Sequence, residues 1–318
     1  MERAISHLIA DEAVTDVLIN GDGSVWVDRG RHLERADLTL NDAQAVRRLA
    51  IRLAAAAQRR LDDAMPHADG QLPGGVRLHA VLAPIATDGA HISLRVPRRR
   101  ALSTEQLQAS GSLTPAQTET LHELVHRRRS VLVSGGTGTG KTTLLAALLA
   151  LVPPHERVVV VEDVSEVPVT HPHVVRLQAR HRNVEGAGEV TMTELVRQAM
   201  RMRPDRLVVG EVRGAEVIDL FRAFNTGHEG GFATIHANSA QDVMTRLAAL
   251  GSLAGLPEAA VRSQALAAID AVVHLEREAG TRRVREIVEW TVAAGSRPSP
   301  AVATARAAAH PEHVPAGP

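Results

Sequence analysis

Residues 135–142 read GGTGTGKT, a spacing of glycine, lysine and threonine that can hold phosphate groups. Glycines let the backbone curl so that successive amide groups point inward, and a helix that starts at Lys141 adds its positive end. Lys141 would reach the β and γ phosphates of ATP, and the Thr142 hydroxyl would bind Mg²⁺. An apolar strand precedes the loop and a helical run follows it, as a P-loop requires. The predicted site comprises Gly135, Gly136, Thr137, Gly138, Thr139, Gly140, Lys141, Thr142 and Thr143.

Lys141 is also the only lysine among the 36 basic residues of the chain. A base composition that favours arginine accounts for the other basic positions. Under that explanation, a retained lysine marks a place where a compact ammonium does something that a planar guanidinium cannot.

A carboxylate that could act on a nucleotide stands in the segment RPDRLVVGEVRG. Residues 207–209 read as a buried strand, and Glu211 emerges at its carboxyl end, where open α/β sheets bind ligands. Gly210 stands where many P-loop enzymes have an aspartate, so Thr142 and water would carry more of the Mg²⁺ coordination. Glu211 is then the predicted general base. The alternative is a surface glutamate that caps a turn.

Further acidic residues follow a second strand, in the segment VVVVEDVSE. The carboxyl ends of parallel strands meet at one edge of a sheet, so Glu162 and Glu166 are expected to help Glu211 hold the water or the metal. Glu162 is the predicted metal ligand of this pair. Asp163 fits the alternative of helix capping or turn formation.

Two histidines, His228 and His236, flank a short strand in NTGHEGGFATIHANS. The absence of cysteine and of acidic residues at ligand spacing argues against a metal site. A sensor of the γ-phosphate is the better functional role, and a structural histidine is the alternative.

The patterns that must position these residues divide the chain into two domains. Residues 1–96 predict a small α+β domain, with a hairpin over 14–28, a helix over 41–57 and strands over 76–82 and 91–96. The composition of residues 97–112 predicts a linker. In residues 113–293 strand patterns alternate with helix patterns, which indicates an α/β domain with parallel strands. Residues 294–318 predict a disordered tail.

Composition restricts the class of protein. With 44% apolar and 23% charged residues, the chain can bury a sizeable core. The absence of cysteine fits the cytosol, and no segment approaches a membrane span, so membrane contact is expected through partners. A P-loop and a glutamate at a strand end also occur together in nucleic-acid translocases, which are one alternative for such a site. A net charge of zero and only 2% aromatic residues argue against direct binding of nucleic acid.

Four segments occur in a recognisable order: GGTGTGKTT, VVVVEDVSE, RPDRLVVGEVRGAE and NTGHEGGFATIHANS. Together they resemble the Walker A, Asp, atypical Walker B and His boxes of the type II/type IV secretion-system ATPase family. They are most similar to its tight-adherence (Flp-type) pilus and conjugal-transfer branch. The likeness covers residues 14–290, since LPGGVRLHAVLAP and HISLRVPRRR look like the amino-terminal domain of the family. Few residues precede Val14, so the amino-terminal extension of many relatives is expected to be short here.

The resemblance implies a RecA-like P-loop NTPase core preceded by a small α+β (PAS-like) domain. It also implies a cytoplasmic homo-hexamer, bound to inner-membrane platform proteins, in which ATP hydrolysis powers pilus assembly, protein secretion or conjugal transfer. The Gly210 feature is shared by the family. The resemblance assigns family roles to Glu211, Glu166, His236, Arg201 and Arg213, and by weaker motifs to Arg77 and Arg95.

Overall fold

The computed structural model describes residues 2–30, 32–40, 42–97, 101–180, 188–227, 229–278 and 281–290. The chain forms two compact units. The first comprises the described residues within 1–101, 162–170 and 178–191, and the second those within 102–161, 171–177 and 192–290. No described helix has the length and apolar character needed to span a bilayer. The predicted tail and His228 lie outside the described residues.

An antiparallel sheet and its helices make up the first unit. The elements are α1 Glu2–Ala10, β1 Asp16–Ile19, β2 Ser24–Asp28, β3 Leu33–Thr39, α2 Ala43–Ala56, β4 His67–Gln71, β5 Arg77–Val81 and β6 His91–Arg95. The strands are ordered β3-β2-β1-β6-β5-β4. The apolar stripe of α2 packs against β5 and β6, as its helical spacing predicted. This unit confirms the small α+β domain.

The β1–β2 hairpin depends on a glycine. Gly23 has a φ of 83°, and a Cβ atom at this position would lie 2.2 Å from the Leu40 carbonyl oxygen. The Asp22 carboxylate accepts a hydrogen bond of 2.8 Å from the Ser24 amide and so closes the turn. The sequence Asn20-Gly21-Asp22-Gly23 therefore specifies this hairpin through backbone conformation as well as through polarity.

A mostly parallel sheet organises the second unit. The helices and strands that follow β6 along the chain are α3 Thr104–Ala109, α4 Pro115–His126, β7 Val131–Gly135, α5 Lys141–Ala150, β8 Val158–Glu162, β9 Val174–Gln178, α6 Met192–Met200, β10 Arg206–Val212, α7 Glu216–Asn225, β11 Phe232–Ile235, α8 Asp242–Leu253, α9 Glu258–Ala268, β12 Ala271–Glu278 and β13 Thr281–Glu289. The strand order is β13-β12-β7-β11-β10-β8-β9. The pairs from β12 to β8 are parallel, and β12 pairs with β13 in antiparallel fashion. This arrangement confirms the predicted α/β core.

Burial of both faces explains the continuous apolar runs of these strands. Every residue of β7, β8 and β11 is buried, as expected for parallel strands covered on both sides. Helix α5 is buried around most of its circumference, from Leu144 to Leu149. The loop that joins β7 to α5 thus lies between two elements that are almost fully buried.

The predicted linker over residues 97–112 contains a helix. Helix α3 begins after Ser103, whose hydroxyl accepts from the Gln106 amide while the Gln106 side chain accepts from the Ser103 amide. These residues, which made the segment look like a polar linker, form a capping box. From Leu102 onward the segment belongs to the second unit.

A buried ion pair joins the loop before β8 to the start of β10. Arg206 is fully buried, and its Nε atom donates to a Glu156 carboxylate oxygen at 2.5 Å. The same guanidinium donates to the carbonyl oxygens of Gly230 and Val125, and Arg128 donates to the other Glu156 oxygen. Each nitrogen of the Arg206 guanidinium thereby has an acceptor, and each oxygen of the Glu156 carboxylate has a donor. A charge can be kept in a core when its hydrogen bonds are made in this way.

Replacing Glu156 by glutamine should lower the free energy of unfolding by about 2 kcal/mol, because the buried Arg206 cation loses its counter-charge. Urea denaturation would measure this loss. The matched control is Glu123→Gln, at a surface pair in which Arg127 lies 2.7 Å from Glu123. That change should cost less than about 0.5 kcal/mol. Equal losses in the two variants would contradict a structural role for the buried pair.

Candidate nucleotide site

The loop between β7 and α5 has a backbone that glycine makes possible. Gly135, Gly138 and Gly140 have φ angles of 149°, 73° and 100°, a region that other residues rarely adopt. A Cβ atom on Gly135 would lie 2.5 Å from the Leu275 carbonyl oxygen and 2.7 Å from the Thr139 hydroxyl oxygen. Gly140 occupies the N-cap position of α5 and brings no side chain to it. The first amide groups of α5 are therefore left to bind an anion.

Lys141 lies within this loop. Its ammonium donates to the carbonyl oxygens of Gly135 and Gly136 at 2.9 and 2.8 Å and lies 3.4 Å from His236 Nε2. Only 8% of the residue is exposed. A buried cation, uncapped helix amides and a glycine loop fit the phosphate groups of a nucleotide. Thr142 follows Lys141 and is half-buried, and its hydroxyl is an oxygen donor of the kind that Mg²⁺ prefers.

Glu211 is placed by an irregular strand pairing. The register of β10 against β11 shifts between Val209 and Val212, so Gly210 and Glu211 lie in the irregular part. The Thr234 hydroxyl donates to the Gly210 carbonyl oxygen at 2.6 Å and holds this part of the strand. Such register shifts change the direction in which side chains project near the ends of strands.

Four charged or titratable side chains meet where β7, β11 and β10 end. One oxygen of Glu211 lies 3.1 Å from His236 Nε2, and the other accepts from Arg213 at 2.6 Å. His236 in turn lies beside the Lys141 ammonium. The structure thus brings together Lys141, His236, Glu211 and Arg213, residues that are up to 95 positions apart in the sequence.

Their electrostatics follow from this proximity. Burial raises the pKa of Glu211, but the hydrogen bond and charge of Arg213, with the charges of His236 and Lys141, outweigh it and lower the pKa below its ordinary value. Burial and the charge of Lys141 lower the pKa of His236, against the attraction of Glu211. Burial also lowers the pKa of Lys141, which Glu211 opposes. At neutral pH Glu211 is therefore ionised and His236 is neutral.

His236 Nε2 lies between a donor and an acceptor. When this nitrogen carries a proton it donates to Glu211, and when it does not it accepts from Lys141. A change of tautomer at His236 therefore changes its contacts with Lys141 and with the Glu211 carboxylate together.

We expect His236→Gln to bind ATP normally and to lower turnover by about tenfold, because the contact with Glu211 is altered while the loop is kept.

Protonation of His236 would place a second cation beside Lys141, so wild-type turnover should fall on acidification below the ordinary titration range of histidine. This acid limb should weaken in His236→Gln. Initial rates at saturating ATP from roughly pH 5 to 8 measure both effects. His126→Gln, at an exposed position in α4, is the control. An identical pH profile in the two variants would exclude a role for His236.

Other predicted residues lie in the first unit. The Glu162 carboxylate accepts from the amides of Glu166 and Val167 at 2.9 and 2.8 Å, which stabilises the loop after β8. Arg77 donates to Glu166 at 2.8 Å. Arg95 lies opposite Arg77 across β5 and β6 and is 3.7 Å from Asp16. Among the described residues, no three acidic or histidine side chains are grouped to hold a metal ion.

Arg201 is not brought to the Glu211 cluster within this chain. It is exposed and lies just after α6, before β10 begins at Arg206. Glu211 lies near the other end of β10, and five strand residues span about 17 Å. A role for Arg201 at this chain's own Glu211 is therefore not supported by the fold.

Sequence reasoning missed two residues beside the loop. His274 on β12 is buried, and its Nδ1 lies 2.9 Å from the hydroxyl of Ser134, directly before Gly135. Burial lowers the pKa of His274 despite the opposing charges of Glu286 and Glu276. Arg282 on β13 donates to the Gly138 carbonyl oxygen. No motif marks either residue, because both reach the site through the pairing of β12 with β7 and β13.

The chain is similar over most of its length to proteins named for conjugal transfer. A protein of Mycobacterium tuberculosis (strain H37Rv) named for conjugal transfer is 54% identical over 298 residues, which cover 92% of this chain and 85% of that protein. The conjugal transfer protein TrbB of Rhizobium radiobacter is 33% identical over 282 residues, covering 87% and 84% of the two chains.

Solved structures share the fold. The ATPase DotB of Legionella pneumophila gives a TM-score of 0.64 at 20% identity and covers 91% of this chain and 80% of its own. The pilus retraction motor PilT with bound ADP gives 0.63 at 20% identity, covering 89% and 80%. The family model described as "Type II/IV secretion system protein" matches residues 2–308. The chain belongs to the type II/IV secretion system protein family.

Proposed function

We propose that this protein is an ATP-hydrolysing motor that powers secretion or conjugal transfer, with pilus assembly as the related possibility within the family. The observation that carries the proposal is the cluster in which Lys141 of the phosphate loop, His236 and Glu211 lie within 3.4 Å of their neighbours. The family match and the relatives named for conjugal transfer support secretion or conjugal transfer as the process that ATP hydrolysis drives.

The phosphate loop binds the nucleotide. The amides at the start of α5 and the Lys141 ammonium face the β and γ phosphates, exchanging the present contacts with Gly135 and Gly136 for phosphate oxygens. Mg²⁺ held by the Thr142 hydroxyl and the phosphates would neutralise charge on the transferred group. Because the described residues contain no group of three acidic or histidine side chains that could hold a metal ion, the phosphates themselves would supply much of the metal coordination.

Glu211 positions the attacking water. Phosphoryl transfer is largely dissociative, so orientation of the nucleophile contributes more than full proton removal. A carboxylate with a lowered pKa is a weak base but a good acceptor for a hydrogen bond from water. His236 and Arg213 fix the two oxygens of Glu211 and so fix its direction.

The arginines differ in what they can do. Arg213 is more than half exposed while it is paired with Glu211, so it can turn toward a phosphate group when the nucleotide binds. Arg201 is exposed and distant from Glu211 along β10, so we propose that it serves the nucleotide of a neighbouring copy. In the first unit, Arg77 and Glu166 form a pair that we propose to act on nucleotide together, with Arg95 beside it.

We further propose that the working form is a homo-hexamer docked to membrane platform proteins at the cytoplasmic face. If Arg201 acts on the nucleotide of a neighbouring copy, the working form must contain more than one copy, as a ring does. Light scattering with and without a non-hydrolysable ATP analogue tests this assembly. A strict monomer under both conditions would contradict the ring.

Steady-state ATP hydrolysis by the purified protein tests the function, with and without single-stranded DNA. We expect turnover that does not depend on DNA, because the chain has no net charge and few aromatic residues for stacking bases. Stimulation by DNA would instead favour a nucleic-acid translocase. Absence of hydrolysis and of nucleotide binding would reject the proposal.

A further inference from the structure

The hairpin formed by β12 and β13 runs beside the phosphate loop. Strand β7 ends at Gly135, which pairs with Leu275 of β12. Strand β12 continues to Glu278, and β13 returns from Thr281, so both extend past the end of β7. Residues at this end of the hairpin therefore lie alongside the loop residues 136–140.

Arg282 of β13 makes a direct contact with that loop. Its Nε atom donates to the Gly138 carbonyl oxygen at 2.9 Å. Its Cδ atom lies 3.5 Å from the position that a Cβ atom on Gly140 would occupy. The side chain thus lies across the outer side of the loop, from Gly138 to the residue before α5.

This hydrogen bond fixes the direction of one loop amide. The peptide group between Gly138 and Thr139 is planar and trans, so its carbonyl and its N–H point in opposite directions. Arg282 holds the Gly138 carbonyl on the hairpin side, and the Thr139 N–H therefore points away from the hairpin. Gly138 has a φ of 73° and no side chain, so few other contacts restrict this peptide.

The contact also brings a second cation to the loop. Arginine is charged at every relevant pH, and Lys141 is the first cation at the site. Two cations on one short loop favour a ligand with several negative charges. A nucleoside di- or triphosphate has this charge, and both ATP and ADP present phosphates to a P-loop.

We propose that Arg282 is a positioning residue for the nucleotide, which orients the Thr139 amide toward phosphate by holding the Gly138 carbonyl. This inference rests on the proposed ATPase function and adds a residue to its binding site. Arg282 acts through the loop on ATP and ADP alike, so it contributes to affinity more than to the chemical step.

The test compares ADP binding and ATP turnover in Arg282→Met with wild type. Methionine keeps an apolar stem and removes the donors. The dissociation constant of ADP should rise about tenfold, while the rate at saturating ATP should stay within about twofold. Arg285→Ala is the matched control, since Arg285 is an exposed arginine of the same strand and lies 3.6 Å from Glu276. It should bind ADP as wild type does.

Hydrogen exchange separates positioning from a purely electrostatic role. Without nucleotide, a peptide that covers residues 136–140 should exchange faster in Arg282→Met than in wild type, because the loop has lost an external hydrogen bond. Arg282→Lys should restore ADP affinity to within about threefold, since it can donate to the same carbonyl. If Arg282→Met does not fold, Arg282→Leu supplies the same comparison, since leucine also lacks a donor.

The outcomes distinguish this inference from the function on which it rests. Wild-type protein that does not bind ADP would reject the nucleotide site itself. Wild-type protein that binds ADP, with unchanged affinity in Arg282→Met, would overturn the role of Arg282 alone. A fall in the saturated rate without a change in affinity would also overturn it.

Discussion

Lys141→Ala should abolish ATP turnover, with a loss of at least about a thousandfold, because we propose that the ammonium contacts the transferred phosphate. The ammonium already lies inside the loop, 2.9 and 2.8 Å from two of its carbonyl oxygens. An enzyme-coupled assay of phosphate release measures the loss. Thermal unfolding of the same variant shows whether the fold survives.

Lys141→Arg provides a stricter comparison. It keeps the positive charge but puts a larger, planar group into a site where only 8% of the native residue is exposed. We expect this variant to be as inactive as Lys141→Ala. Wild-type turnover in Lys141→Ala would contradict the assignment of the phosphate loop.

Glu211→Gln should bind ATP with near-normal affinity and hydrolyse it about a hundred- to a thousandfold more slowly. Glutamine has nearly the same shape and can still accept from Arg213, but it lacks the negative charge that orients water. Fluorescent-nucleotide titration and single-turnover hydrolysis measure the two quantities separately.

Glu276→Gln is the matched control, since Glu276 lies on the β12–β13 hairpin and pairs with Arg283. It should change neither binding nor rate by more than about twofold, because a partly exposed ion pair contributes little. If Glu211→Gln fails to bind ATP, then Glu211 serves structure or metal binding rather than hydrolysis.

The sequence predicted the parts of the site that are contiguous. The phosphate loop needs a strand, a glycine turn and a helix in succession, and all three lie within residues 131–150. Glu211 could be recognised because a buried strand precedes it. Local order along the chain was enough in both cases.

Contacts between residues that are distant in the sequence could not be predicted in this way. His236 approaches both Lys141 and Glu211 because β11 lies between β7 and β10, and hydrophobic patterns do not specify the order of strands. Neighbouring strands are about 4.8 Å apart, so residues that end adjacent strands come into contact. The same reasoning explains why Arg282 and His274 were missed.

Some polar residues also stabilise the backbone, and the sequence patterns did not predict these contacts. Ser103 and Gln106 were assigned to a linker but cap α3. Glu162 was predicted as a metal ligand, which stays a prediction, and one of its carboxylate oxygens accepts two loop amides. A carboxylate that follows a strand has similar sequence context in either role, and only the positions of nearby amides separate the two.

The single lysine makes the nucleotide site chemically addressable. An amine-selective reagent that acts on lysine side chains has one target in this chain, and that target lies in the phosphate loop. Burial lowers the pKa of Lys141, so a larger share of this amine is uncharged and nucleophilic than in a surface lysine. Protection of this one modification by added nucleotide would report site occupancy by mass spectrometry, without any engineered label.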